Sequence, residues 1–228
     1  KEARLQLLPY SNPKIPIAVA SAVSPTGARI AGKHGIGLLS FAATSKSGFI
    51  SLPKNWEIAV QQAEQHGQQV HKHDWSLVGP MHIAETREKA RENMRFGLEK
   101  WVWYFNEVAA LAFNWEGNCD SLIDQINESS FGVIGTPEDA INQIERLWEQ
   151  TGGFGCFLQM AHNWADFEQT KRSYELIGRY VMPHFNDLNK GREASMDWAS
   201  ENRPEFIGRA DQAVEKATEK YETEVKKT

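Results

Sequence analysis

Cysteine is scarce in this sequence, acidic residues outnumber basic ones, and long apolar runs are missing. Its two cysteines, Cys119 and Cys156, form neither a CxxC motif nor a metal pair, which favours two buried thiols in a reducing cytoplasm. The net charge of −5 argues against nucleic-acid and membrane-surface binding. No apolar run approaches the roughly 18–20 residues that cross a bilayer. These absences predict a cytoplasmic globular protein.

Acidic residues are also missing at the start of one predicted helix. Helix N-termini carry partial positive charge and usually attract Asp or Glu. Ser24 is predicted to cap a helix whose first position is Pro25, and its first turn has no acid. The helix that Thr136 is predicted to cap has Glu138 and Asp139 behind its start. The first helix could therefore hold an external anion such as phosphate, although the residues alone leave open that it is only a capped start.

Apolar segments alternate with amphipathic ones along the chain and predict a parallel α/β sheet. Strands are predicted at 15–21, 36–41, 75–84 and 156–161, and helices at 25–34, 53–69, 86–108, 136–150 and 166–181, with a loop over 42–54 and an irregular or short helical stretch over 112–132. Four βα units are half of an eight-stranded barrel and leave two sheet edges open. We therefore expect either that a missing N-terminal segment carries the other half of the barrel, or that a partner chain covers the open edges.

Four segments within residues 1–186 carry a family resemblance. They are PIAVASAVSPTGARIAGKHGIGLLSF, MHIAETREKARENMRFGLEKWVWYF, VIGTPEDAINQIERLWEQTGGFGCFLQMA and SYELIGRYVMPHF. In this order they resemble the C-terminal half of the bacterial luciferase-like flavin-dependent monooxygenase family, in the branch of limonene-monooxygenase-like proteins. The resemblance implies a TIM (β/α)₈ barrel, of which residues 1–186 carry strands five to eight. Residues 187–228 are expected to form a charged helical tail.

The resemblance also implies an activity and its cofactor. It predicts a homodimeric monooxygenase that uses O₂ and reduced FMN, supplied by a separate flavin reductase, to oxygenate a small apolar or aromatic substrate. Two alternatives stay open: an oxidoreductase of the same fold that uses a deazaflavin or flavin for hydride transfer, and a non-catalytic flavin-binding half-barrel. Because part of the family's catalytic machinery lies in the first half of the barrel, activity is expected only when that half is present.

Candidate site residues follow from the strand ends, where barrel enzymes hold their ligands. The resemblance assigns the flavin phosphate to Ser21, Ala22, Ser24, Thr26 and Gly27, and the flavin ring to Ser40 and Phe41. Gly27 is expected to let the ligand approach the backbone. After the last strand, Asn163 and Trp164 are expected in the substrate pocket, with His162 as a catalytic donor or substrate-orienting group. His82 is expected to be a satisfied core histidine, and no metal site is expected.

Overall fold

The computed structural model describes residues 10–11, 15–109, 113–186 and 190–225, and the chain divides into two compact units, Lys1–Val181 and Met182–Thr228. The strands of the first unit are β1 (Ala18–Ser21), β2 (Gly37–Ser40), β3 (Trp75–Gly79), β4 (Met81–Ile83), β5 (Val133–Gly135) and β6 (Cys156–Gln159). Its helices are α1 (Thr26–His34), α2 (Lys46–Gln65), α3 (Arg87–Asn93), α4 (Leu98–Glu107), α5 (Cys119–Glu128), α6 (Pro137–Thr151) and α7 (Phe167–Leu176), and a π-helical turn follows at Ile177–Val181.

Four of these strands form one parallel sheet in the order β1-β2-β3-β6, and β4 and β5 form a separate parallel pair. The third predicted strand is thus divided at Pro80, which has no N–H to continue the ladder. The Pro80 carbonyl instead accepts from the N–H of Val133 (3.1 Å), just where β5 begins. The predicted parallel α/β fold is confirmed, and β5 is an additional strand between the stretch predicted to be irregular or a short helix, 112–132, and the helix that begins after Thr136.

The two faces of the four-stranded sheet differ in burial. Leu38, Trp75 and Leu77 are buried on one face, and the ring of Trp75 stacks on Trp56 of α2 with centroids 4.9 Å apart. The opposite face carries Ala18, Ala20, Leu39, Val78, Cys156 and Leu158, which are exposed or half-buried. Cys156 was expected to be buried and is exposed, because β6 has one neighbouring strand in the described chain and this face is uncovered.

Helix α2 begins seven residues earlier than predicted, so the predicted loop over 42–54 is confirmed only for 42–45, and 46–54 is helical. The side chain of Ser45 caps the helix by accepting from the N–H of Gly48 (3.1 Å). Pro53, taken from the sequence as a helix start, lies inside the helix. Because proline has no N–H, it leaves the carbonyl of Phe49 without its helical donor. Gln150 of α6 supplies a donor from its side-chain amide (Nε2 to O, 3.1 Å).

The long helix predicted to follow Thr86 is interrupted. Thr86 does cap α3, since its hydroxyl accepts from the N–H of Lys89 (3.2 Å), but a 3₁₀ turn and Gly97 separate α3 from α4. The N–H of Gly97 donates to the carbonyl of Trp164 (3.0 Å), and a side chain at position 97 would collide with the carbonyl of Asn163. The helix break at Gly97 therefore allows this segment to pack closely against the loop after β6.

The predicted capping box of α6 is confirmed. The Asp139 carboxylate accepts from the backbone N–H (2.9 Å) and the hydroxyl (3.1 Å) of Thr136. At its other end, Gly152 adopts φ 62°, the left-handed conformation that favours glycine at a helix end. The carboxylate of Asp139 therefore occupies the N-terminus of α6, whereas the first turn of α1 has no acidic residue.

The second unit is helical where it is described, with α8 (Met182–Phe185), α9 (Lys190–Glu201) and α10 (Arg203–Val225). Pro183 lies inside α8, so helix does not stop before this proline as expected. Within the described ranges, no helix has the length and apolar character that a membrane crossing requires.

Candidate functional site

Helix α1 begins close to the carboxyl end of β1. Gly27, in its first turn, is buried, and a Cβ there would lie 2.6 Å from the Cβ of Ser21 and 2.7 Å from the carbonyl oxygen of Ala20. Glycine is therefore required at this position for close packing of the helix on the strand. The expectation that Gly27 opens the backbone to a ligand is corrected: the space beside its Cα is filled by β1.

The N-terminus of α1 has no capping side chain. Pro25, not Ser24, is the N-cap residue, and the first turn contains no acidic residue. The first intrahelical bond runs from the N–H of Arg29 to the carbonyl of Pro25 (2.9 Å). The N–H groups of the three preceding residues, beginning with the exposed Thr26, lie outside this ladder. Together with the helix dipole they form an end that favours an anion.

The first two strand ends lie side by side. The N–H of Phe41 donates to the carbonyl of Ser21 (3.1 Å), and half of the Phe41 side chain is exposed. Ser21 is buried and its hydroxyl lies 3.4 Å from the carbonyl of Ser24, while Ala22 is half-buried. Four of the predicted flavin-site residues are therefore neighbours at this edge of the sheet.

Ser40 has a different environment from Phe41. Its side chain is buried, and its hydroxyl accepts a hydrogen bond from the indole Nε1 of Trp75 (3.0 Å). This bond satisfies a buried donor within the core between the sheet and α2. The hydroxyl of Ser40 therefore points to the packed side of the sheet, away from the exposed ring of Phe41.

His162 is held by backbone contacts on both sides of its ring. Its Nε2 lies 3.0 Å from the carbonyl of Met81, and its Nδ1 lies 3.4 Å from the N–H of Trp164. Burial lowers the pKa of His162 below its usual range and so favours the neutral ring, and the carbonyl of Met81, which can only accept, requires a proton on Nε2. This arrangement ties the loop after β6 to β4, which is a positioning role; a direct role in proton transfer stays a prediction.

The two residues after His162 have opposite environments. Asn163 is exposed, whereas Trp164 is completely buried, stacked on His162 (centroids 4.1 Å apart) and edge-on to Trp101 of α4 (5.3 Å). The aromatic cluster between α4, α5 and this loop contains Trp101, Phe105, Phe113, Trp115, Phe131 and Trp164. Within this chain, Asn163 faces solvent and Trp164 belongs to the core.

His82 on β4 is completely buried, as the sequence predicted, but only one of its nitrogens has a partner. Nε2 lies 3.0 Å from the side-chain amide of Asn93, and Nδ1 has no hydrogen-bond partner among the described residues. Burial, followed by the charge of His162, lowers the pKa of His82 to about 4. The imidazole is therefore neutral near pH 7. Asn93 was not identified from the sequence, because it lies on α3 and meets His82 only in the folded chain.

The comparisons with known proteins agree with this architecture. A family model described as luciferase-like monooxygenase matches residues 1–154. Limonene 1,2-monooxygenase of Rhodococcus erythropolis is 46% identical over 186 residues, which are 82% of this chain and 47% of that protein. The 4-hydroxyprotoasukamycin monooxygenase of Streptomyces nodosus subsp. asukaensis is 34% identical over 206 residues, 88% of this chain and 55% of that protein.

Two solved structures have a similar fold. They are a monooxygenase of Streptomyces bottropensis and, in complex with FMN, the oxygenating constituent of 3,6-diketocamphane monooxygenase of Pseudomonas putida. Each has a TM-score of 0.60 and 20% identity, and the match covers 77% of this chain and 50% of theirs. The chain thus spans about half the length of the relatives it matches. It belongs to the luciferase-like monooxygenase family.

Proposed function

We propose that this chain is the FMN-binding half of a luciferase-like monooxygenase, with β1, β2, β3 and β6 as strands five to eight of a (β/α)₈ barrel. The open sheet supports this proposal, because β1 and β6 each have one neighbour in the described chain and one sheet face is uncovered. Eight parallel strands are the number at which such a barrel closes around a filled interior. The half-length match to monooxygenases points the same way.

The observation that carries the cofactor proposal is the N-terminus of α1. Its first-turn N–H groups begin at Thr26, no acid competes with a ligand there, and the hydroxyls of Ser24 and Thr26 are exposed. A phosphate group carries negative charge and several acceptor oxygens, so it suits this combination of donors and dipole. We infer that these donors hold the FMN phosphate. FMN is also the ligand in the complex of the Pseudomonas putida relative.

Phe41 would then contact the flavin ring. Its side chain is half-exposed, and its backbone N–H donates to the carbonyl of Ser21, beside the inferred phosphate site. An aromatic side chain next to the phosphate site on the sheet edge would cover one part of the flavin and exclude water from it. Reduced flavin, when bound, supplies the reaction with O₂, and the protein supplies binding, orientation and a dry site.

The phosphate assignment is tested by replacing Thr26, which is exposed and can change without disturbing the packing of Gly27. Thr26→Asp adds a negative charge that favours the helix but repels phosphate, and Thr26→Asn is the neutral control. FMN and riboflavin are titrated against each protein by flavin fluorescence. We expect FMN to bind more tightly than riboflavin, and Thr26→Asp to lose about tenfold in FMN affinity or more. Equal binding of FMN by all three proteins contradicts the assignment.

The reaction class needs a second assay in a protein that contains both halves of the barrel. FMN, NADH and a flavin reductase are supplied with limonene as the apolar probe, and oxygen uptake and oxygenated limonene are measured. Substrate-dependent formation of an oxygenated product supports the monooxygenase proposal. Reduction or oxidation of a substrate without oxygen consumption would instead support hydride transfer by a flavin or deazaflavin.

A further inference from the structure

A groove of about 450 Å³ lies between α3, the segment joining α5 to β5, and α6. Its volume is within the about 300–1,000 Å³ of typical small-molecule sites. The guanidinium groups of Arg87, Arg91 and Arg146 line it together with one carboxylate, that of Asp139. Asp139 pairs with Arg87, and Asp124 and Asp120 pair with Arg91, so the positive charge without a described carboxylate partner is that of Arg146. None of these residues belongs to the site proposed for FMN.

Arg87 and Arg91 already have carboxylate partners. Arg87 donates to both oxygens of Asp139 (Nε to Oδ2 3.0 Å, Nη2 to Oδ1 2.7 Å). Arg91 donates to Asp124 (2.6 Å) and lies 3.4 Å from Asp120. These ion pairs fix the orientation of both guanidinium groups, and each group retains N–H donors, since a guanidinium has five. The two arginines therefore line the groove with guanidinium groups of fixed orientation.

Arg146 is held by neutral groups. Its Nε donates to the side chain of Gln143 (3.0 Å), its Nη2 donates to the carbonyl of Ser130 (3.3 Å), and its guanidinium lies 4.0 Å from the ring centroid of Phe49. Glu128 and Lys46 lie in a neighbouring depression that Arg146 also lines, but no described carboxylate pairs with Arg146. The half-buried cation is thus oriented but not neutralised among the described residues, and three of its N–H donors make no hydrogen bond with them.

Asn142 adds a second polar group to the same wall. It lies four residues before Arg146 on α6, so both side chains share one helix face. Asn142 is exposed, lines the groove, and makes no hydrogen bond with the described residues. Asn127, the other asparagine of the groove, uses both side-chain atoms on the backbone of Ile134. Asn142 is therefore the amide that is available to a ligand.

We propose that this groove binds the phosphate group of a small phosphorylated molecule, with Arg146 and Asn142 as its main contacts. Arg146 provides a positive charge without a described carboxylate partner, and Arg87 and Arg91 line the groove with N–H donors beyond those used in their ion pairs. Donors that arrive from several directions suit a tetrahedral phosphate better than a planar carboxylate. The groove is larger than one phosphate group requires, which leaves room for the organic part.

The proposal is tested by NMR on the ¹⁵N-labelled chain at constant ionic strength. Inorganic phosphate, glucose 6-phosphate and glucose are the probes. We expect saturable shifts of the Asn142 side-chain amide and the Arg146 Nε–H with both phosphate probes, and none with glucose. Arg146→Gln should lower the affinity by about tenfold or more, whereas Arg192→Gln, an exposed arginine on α9, should leave it unchanged.

A second variant distinguishes loss of phosphate binding from loss of folding. Asn142→Asp adds a negative charge to the groove and leaves all contacts of Arg146 in place, so it should also weaken phosphate binding while the melting temperature is retained. Thr26→Asp, which disturbs the proposed FMN site, should leave the groove shifts intact. Absence of saturable shifts, shifts confined to residues 24–28, or unchanged binding by Asn142→Asp overturns the proposal.

Discussion

Gln150 donates its side-chain amide to the carbonyl of Phe49, 101 positions earlier in the chain, at 3.1 Å. This is the carbonyl that would accept from residue 53 in a regular helix, and residue 53 is proline. Helix α6 therefore provides the donor that α2 lacks. The bond explains how a proline is accommodated at the eighth position of a 20-residue helix.

This relationship predicts coupling between Gln150 and Pro53. Gln150→Ala should destabilise the protein by about 1 kcal/mol, because a partly buried carbonyl loses its donor. In a Pro53→Ala background the backbone N–H returns to the helix, so the same substitution should cost less. Urea unfolding of the four proteins of this double-mutant cycle measures the coupling. Equal costs of Gln150→Ala in both backgrounds would mean that the two residues act independently.

The hydrogen bond between Ser40 and the indole of Trp75 predicts a stability role for a residue assigned to the flavin site. Ser40→Ala should lower the free energy of unfolding by about 1–3 kcal/mol, because a buried indole N–H loses its acceptor. Ser76→Ala is the control, since Ser76 is half-buried on the opposite sheet face. Both are measured by urea denaturation. An equal, small effect of the two substitutions would contradict the importance of this bond.

Gly27 should be sensitive to the smallest added side chain. Gly27→Ala brings a methyl group to within about 2.6 Å of Ser21, so α1 must shift from β1, at a cost of about 1–3 kcal/mol. Gly178→Ala is a matched control, because nothing described lies within 4 Å of a Cβ at that position. Thermal unfolding compares the two. A stable Gly27→Ala protein would show that the helix start is not tightly packed on the strand.

Much of the fold was readable because it depends on local patterns. Continuous apolar strands alternating with amphipathic segments predicted the parallel sheet, and Thr136 with Asp139 predicted a capped helix. The absence of acids after Pro25 was also visible. These features need only the order of residues along a few turns. They accordingly appear in the structure near the predicted positions.

The errors have distant causes. The break at Gly97 is set by contact with the loop that contains Asn163 and Trp164, and the early start of α2 is tolerated through Gln150. The burial of Ser40 depends on Trp75, 35 positions later. A single sequence does not reveal which residues meet across such separations. For the candidate site, the sequence predicted residues at the strand ends, but not which of their side chains already have partners within the fold, as Ser40 has in Trp75.

His82 predicts how stability depends on pH. Its pKa falls from the usual 6.5 to about 4 in the folded chain, mainly through burial, so the unfolded chain binds the proton more readily. Stability should therefore fall as pH drops from about 6.5 to about 4, by on the order of 3 kcal/mol in total. The pKa of His162 is lowered in the same direction, also by burial. Comparing urea unfolding at pH 7 and pH 5 for the unaltered chain and His82→Gln isolates the His82 contribution. The glutamine variant should lose less stability at pH 5, and an identical loss in both proteins would show that His82 is not the titrating group.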